Sequence, residues 1–123
     1  MEQPAVKFRC LETIPGLDVQ QGMQIAGRNE KLYRKLLGIF LKSQENFGPA
    51  FRAALEQEPR KARRLAHDLK STAGTIGAQE VQEAARALED ALKQGERAAL
   101  EPRLQRVLSK LDPLLRALKQ IQE

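Results

Sequence analysis

Cysteine, histidine and aromatic residues are all scarce in this chain. A single cysteine, Cys10, in 123 residues excludes an internal disulfide and suits a reducing compartment. It lies outside the periodic part of the sequence with no identifiable base partner, so it reads as a bystander rather than a reactive thiol. Aromatic residues make up 4%, and no basic patch is interleaved with them as in surfaces that stack bases. β-Branched residues are few, and no strand pattern, internal repeat or low-complexity segment is visible. No apolar run approaches the roughly 20 residues of a membrane-spanning helix, and no signal peptide is evident. A Gly-rich nucleotide loop is missing too. The lone histidine has no partner ligand at metal-binding spacing, so no metal and no cofactor are expected.

What is abundant is Ala, Leu, Glu, Lys, Arg and Gln, the residues that favour helix over strand. The length fits one domain with a real core. Residues 1–13 show no period and read as a tail or linker remnant; the domain is expected over 14–123. Ile14-Pro15-Gly16-Leu17 reads as a turn and Asp18 as the N-cap of a short helix ending at Gly27. Asn29 caps a second helix, whose Leu32, Tyr33, Leu36, Leu37, Phe40 and Leu41 recur at helical spacing. Phe47, Phe51 and Leu55 continue this face, with a kink or short break expected at Gly48-Pro49. Pro59 opens a helix that Gly77 stops. Residues 78–94 form the next, with Val81, Ala84, Ala85, Leu88 and Leu92 on one side and Glu80, Glu83, Arg86, Glu89 and Lys93 mostly on the other. A last helix lies within 96–120, with Pro102 a candidate start and Pro113 a bend or a lost hydrogen bond. Short Gly- or Pro-marked connections predict an all-α, up-down-up-down four-helix bundle with a short additional N-terminal helix.

The stretch that organises the chain is residues 59–78. At about 100° per residue, Ala62, Leu65, Ala66, Leu69, Ala73 and Ile76 form a core-facing stripe. The opposite face carries Arg60, Arg63, Arg64, His67, Lys70, Ser71 and Gly74. The only histidine is thus presented to the outside among cations. Ser71 is one turn away, but Asp68 points about 100° off and cannot orient the ring. No oxyanion-hole loop is present, so a hydrolase triad does not fit. What remains is the imidazole as nucleophile. A solvated imidazole, with a reference pKa of about 6.5, is largely neutral at cytoplasmic pH, and a neutral ring nitrogen attacks electrophilic phosphorus. Lys70 would neutralise phosphoryl oxygens. Arg63 and Arg64 add positive potential, and Gly74 would leave a gap for another protein's loop. A helix-interior glycine costs roughly 1 kcal/mol against alanine. On an exposed face that cost points to function, or to relief of crowding against a neighbouring helix.

His67-Asp68-Leu69-Lys70-Ser71-Thr72-Ala73-Gly74-Thr75-Ile76-Gly77-Ala78 resembles the signature of histidine-containing phosphotransfer (HPt) domains: His-any-Leu-Lys-Gly/Ser, a small or apolar pair, Gly, two variable residues and Gly. The resemblance extends over residues 14–121. Ile14-Pro15-Gly16-Leu17-Asp18 and the Tyr- and Leu-rich helix after it are similar to the start of such domains in hybrid sensor kinases. It implies a four-helix bundle that accepts a phosphoryl group from a receiver-domain aspartyl-phosphate and passes it to another receiver, without an ATP-binding or kinase domain of its own. His67 is then the phosphoacceptor and Lys70 the stabilising cation. Arg60, Arg63, Arg64, Ser71 and Gly74 would meet the receiver, Ser71 standing where glycine is commonest. Mg²⁺ would belong to the receiver. The implied setting is cytoplasmic, with no direct membrane contact: a monomer, or the C-terminal part of a membrane-anchored hybrid kinase.

The formal charge of +5 leaves an alternative, a basic helical-bundle module that binds nucleic acid or an acidic partner without phosphate chemistry. Glutamates scattered among the cations and the lack of a recognition-helix turn count against it. A bundle degenerate in its chemistry is a third reading, opposed by the intact His67 and Lys70.

Overall fold

The computed structural model describes Ile14 and residues 16–122, all helix and connection with no strand among them. The expectations for residues 1–13, Cys10 and Pro15 lie outside the described residues. Six helices follow one another: α1 Val19–Ile25, α2 Glu30–Gln44, α3 Phe47–Gln57, α4 Pro59–Ile76, α5 Gln79–Gln94 and α6 Arg97–Gln122. Helix α4 packs on α5, α5 on α6, α6 on α2 and α2 on α4, closing a four-helix ring; α1 and α3 both lean on α4. The histidine helix is therefore the centre of the fold.

The local signals act as their chemistry predicts. The Asp18 carboxylate accepts the Gln21 amide at 3.1 Å, and the Asn29 side chain accepts the Leu32 amide at 3.0 Å. Gly27, Gly77 and Gly95 close helices in the left-handed region, which costs a residue without Cβ nothing. Glu58 is extended (φ −151°, ψ 84°) because it precedes Pro59, and this single residue separates α3 from α4.

Two expectations about proline are corrected. The break in the second predicted helix falls at Glu45-Asn46, not at Gly48-Pro49. Pro49 sits in the first turn of α3, where its missing amide hydrogen lacks a partner in any case. Pro102 does not start the last helix, which begins at Arg97 and runs through both Pro102 and Pro113. Both prolines, and the Ala98 and Ser109 residues whose carbonyls lose their helical donor to them, are exposed, on the side of the helix that faces solvent.

The core holds Tyr33, Leu37, Phe40 and Phe51 with Ala62, Ala66, Leu69, Ala73 and Ile76 of α4, Val81, Ala84, Ala85 and Leu88 of α5, and Leu104, Val107, Leu111 and Leu118 of α6. Leu36, Leu65 and Leu92 are only partly buried at its edge. Helix α1 is fastened to the C-terminal end of α4. The Asp18 amide donates to the Gly77 carbonyl at 2.7 Å, and the buried Tyr33 hydroxyl donates to the Ile76 carbonyl at 2.8 Å. Burial, with the charge of Asp18 second, pushes the Tyr33 phenol well above its ordinary range, so it stays a donor. Gly22 makes the joint possible, because a Cβ there would overlap the Tyr33 ring and the Ile76 carbonyl.

Candidate functional site

The alternating faces of α4 emerge as the periodicity requires. Ala62, Ala66, Leu69, Ala73 and Ile76 are buried; Arg60, Arg63, Arg64, His67 and Ser71 are exposed. The His67 side chain is 55% exposed, and that of Lys70, one turn on, 24%.

Helix α5 supplies what the sequence reading missed. Glu89, assigned to the outer face, is buried, with 3% of its surface exposed. Its Oε2 lies 3.0 Å from His67 Nδ1 and 3.5 Å from Lys93 Nζ. Its Oε1 lies 2.8 Å from Lys70 Nζ, an ion pair without hydrogen-bond alignment. One carboxylate thus gathers the imidazole and two ammonium groups. The wheel of α5 holds only a weak signal for this. Glu89 sits about 80° from the centre of the apolar stripe, a flank that is solvated or buried depending on what packs beside it.

Burial is the largest single influence on Glu89 and opposes ionisation. The contact with Lys70, the hydrogen bond from His67 and the charges of Lys70 and Lys93 together outweigh it and hold the carboxyl below its usual range. Glu89 is therefore an ionised acceptor, and the proton of the hydrogen bond belongs to His67 Nδ1. Nε2, across the ring, has no partner among the described residues, and in the neutral ring with its hydrogen on Nδ1 the lone pair is on Nε2. A neutral imidazole with its tautomer fixed and its second nitrogen free is a nucleophile.

Gly74 differs from expectation. Gln82 of α5 lies over it, and a Cβ at Gly74 would run into the Gln82 side-chain amide. The position is half-buried, so the open gap expected there is taken up by the chain itself. The neighbour is the far end of a flexible side chain, so the crowding that the glycine relieves is light. Gly74 faces Gln82 and His67 faces Glu89, pairs whose residue numbers add to the same total, as two antiparallel helices in fixed register require.

Arg60, Arg63, Arg64, His67, Glu89 and Lys93 line one concavity of about 440 Å³. Four cations share it with the imidazole and one carboxylate, a lining whose net positive potential attracts anionic groups. Among the described residues, no group of three or more His, Cys, Asp or Glu is placed to hold a metal ion, and no helix is long and apolar enough to cross a membrane.

Comparison with known proteins bears on the family and the fold. The Hpt domain family model matches residues 35–122, most of the chain. Among solved structures, an X-ray structure of a rice chain described as a histidine-containing phosphotransfer protein is similar at 18% identity. Its TM-score is 0.64, and the match covers 99% of this chain and 95% of that one. At that identity the likeness is one of fold. No curated protein sequence gives a significant match.

Proposed function

The chain belongs to the Hpt domain family, and from that premise we propose that His67 is the residue on which this phosphorelay protein carries its phosphoryl group. The observation that carries the assignment is the His67–Glu89 pair. The only histidine in the chain is half exposed, has Nδ1 committed to a buried carboxylate and keeps Nε2 free.

The Nε2 lone pair attacks the phosphorus of a receiver's aspartyl phosphate. The Nε2–P bond forms, the acyl P–O bond breaks, and its electron pair returns to the aspartate carboxylate. No proton moves. Nδ1 keeps its hydrogen, and the positive charge the ring acquires lies against Glu89. Lys70 turns its ammonium toward the phosphoryl oxygens, a mobile point charge on a flexible stem. Transfer to a second receiver is the reverse of these steps.

Arg60, Arg63 and Arg64, all exposed, would meet the acidic face of a receiver, as would Ser71, exposed one turn beyond His67. Gly74 contributes by keeping the ridge between α4 and α5 low. The protein acts as a carrier and not as a kinase; the phosphoryl energy comes from the donor receiver, which also holds the Mg²⁺. A cytoplasmic monomer is the form in which it would meet two receivers in turn. Four cations share one concavity with the imidazole, which supports the phosphoryl reading over the nucleic-acid one.

The test is incubation with a phosphorylated receiver. The expected label is acid-labile and absent from His67→Gln. Equal labelling of that variant would exclude His67 as the carrier.

A further inference from the structure

We propose that Lys93, on α5, is a second phosphoryl-binding cation that acts beside Lys70 from the other side of His67; the inference rests on His67 being the phosphoacceptor. Lys93 lines the same concavity as His67. Its Nζ stands 3.5 Å from Glu89 Oε2, the same oxygen that holds His67 Nδ1 at 3.0 Å. Those two sides of a triangle place its ammonium within about 6.5 Å of Nδ1, on the ring whose Nε2 would carry the phosphoryl group. The side chain is 48% exposed and belongs to no packed contact of the core, so it swings at little cost on a four-carbon stem. Glu89 and Lys93 are one turn apart on one helix, which keeps the ammonium near the site while no phosphoryl is there.

Charge supplies the second argument. A phosphoryl group brings a charge of about −2 at neutral pH, and the phosphorylated ring carries one positive charge. With Glu89 and Lys70 alone, the cluster is left one negative charge in excess, next to a buried carboxylate. Arg60, Arg63 and Arg64 line the same concavity, but of its four cations Lys93 is the one ion-paired to Glu89 beside the ring. Before transfer both lysines rest on Glu89, one at each oxygen. After it, each has a phosphoryl oxygen to meet. Two cations approaching from α4 and from α5 hold the group along the axis that an incoming receiver must face.

Lys93→Ala, Lys93→Gln and Lys93→Arg are compared with the wild type in the full chain. The first readout is kcat and KM for uptake of label from a phosphorylated receiver. The second is the lifetime of the isolated phosphohistidine. The third is the ¹⁵N signature of the imidazole. The Ala and Gln variants are expected to lower kcat about tenfold, as loss of one charge-assisted contact does, with KM within about twofold and an altered phosphohistidine lifetime. Arg restores most of the rate, and the Nδ1–H signature stays unchanged in every variant. A wild-type kcat in Lys93→Ala overturns the proposal. So does an effect confined to KM, which would make Lys93 a docking residue, or a shifted imidazole signature, which would mean that it works through Glu89. His67→Gln separates the two levels. Label that survives this variant removes the carrier assignment and Lys93 with it; label lost there but unaffected by Lys93→Ala removes Lys93 alone.

Discussion

Glu89 offers the sharpest test of how this site works, because charge and shape can be removed separately. Glu89→Gln keeps an acceptor for His67 Nδ1 and nearly the same volume but deletes the negative charge. Glu89→Leu deletes both. A hydrogen bond to a charged group is worth about 1.5–3 kcal/mol. At tenfold per 1.4 kcal/mol, uptake of the phosphoryl group should slow about 10-fold in Glu89→Gln and up to about 100-fold in Glu89→Leu. Stability should move differently. The carboxylate is buried, and the cost of desolvating it offsets much of what Lys70, His67 and Lys93 return. Replacing a whole buried ion pair by apolar residues is often neutral or stabilising, by about 1–4 kcal/mol, and removing one partner is costly where the other charge stays buried; Lys70 and Lys93 are partly exposed and can turn to solvent. Glu89→Leu is therefore expected to fold at least as stably as the wild type while relaying poorly. Stopped-flow uptake from a labelled receiver, urea unfolding and ¹⁵N spectra of the imidazole together decide the matter. The wild type should show Nδ1–H, and Glu89→Leu a mixture of tautomers. A wild-type rate in Glu89→Leu, or an unchanged tautomer, refutes the claim that Glu89 sets the nucleophile. A loss of more than about 3 kcal/mol in stability would instead make the carboxylate a keystone of the fold.

Four further outcomes are expected. Gly22→Ala, whose Cβ meets the Tyr33 ring and the Ile76 carbonyl, should destabilise by about 1–3 kcal/mol, as overpacking does, measured by urea unfolding. Arg28, the one non-glycine residue with positive φ (61°) among those described, is under strain of about 1 kcal/mol, so Arg28→Gly should raise Tm by a few degrees, read by calorimetry. Gly74→Ala should leave Tm unchanged or higher, because helix propensity gains about 1 kcal/mol and only the half-exposed Gln82 end must shift; slower relay in that variant would show that a receiver uses the low ridge. Glu101, hydrogen-bonded by Arg52 at 2.9 and 3.0 Å and by Gln105 at 2.8 Å, has its carboxyl held down at about 2, with Arg52 the main cause. Its native pKa is below the unfolded value of about 4.3, so its contribution is full above that pH and fades as pH falls toward 2. Acid titration should show Glu101→Gln less stable than the wild type at neutral pH and equal to it near pH 2.

Much of the molecule could be read from its residues in order, because the governing rules are local. Asp18 and Asn29 cap their helices whatever packs on them. Gly77 and Gly95 end theirs because only glycine enters the left-handed region cheaply, and the period of α4 puts leucine and alanine inward and His67 outward. The prolines were harder. Pro49 and Pro102 are tolerated or disruptive according to where a helix begins and which side faces water, and neighbouring helices decide both. The site was legible only on the helix that bears the histidine. Glu89, Gln82 and Lys93 reach it from α5 because the antiparallel register of α4 and α5 sets that flank against His67, Lys70 and Gly74. A helix wheel shows which residues share a face; it carries no information about which partner covers the boundary of that face. Sequence therefore singled out the imidazole and its helix. Tertiary packing alone decided that a carboxylate some twenty residues on would be buried, ionised and bonded to one ring nitrogen, leaving the other free to react.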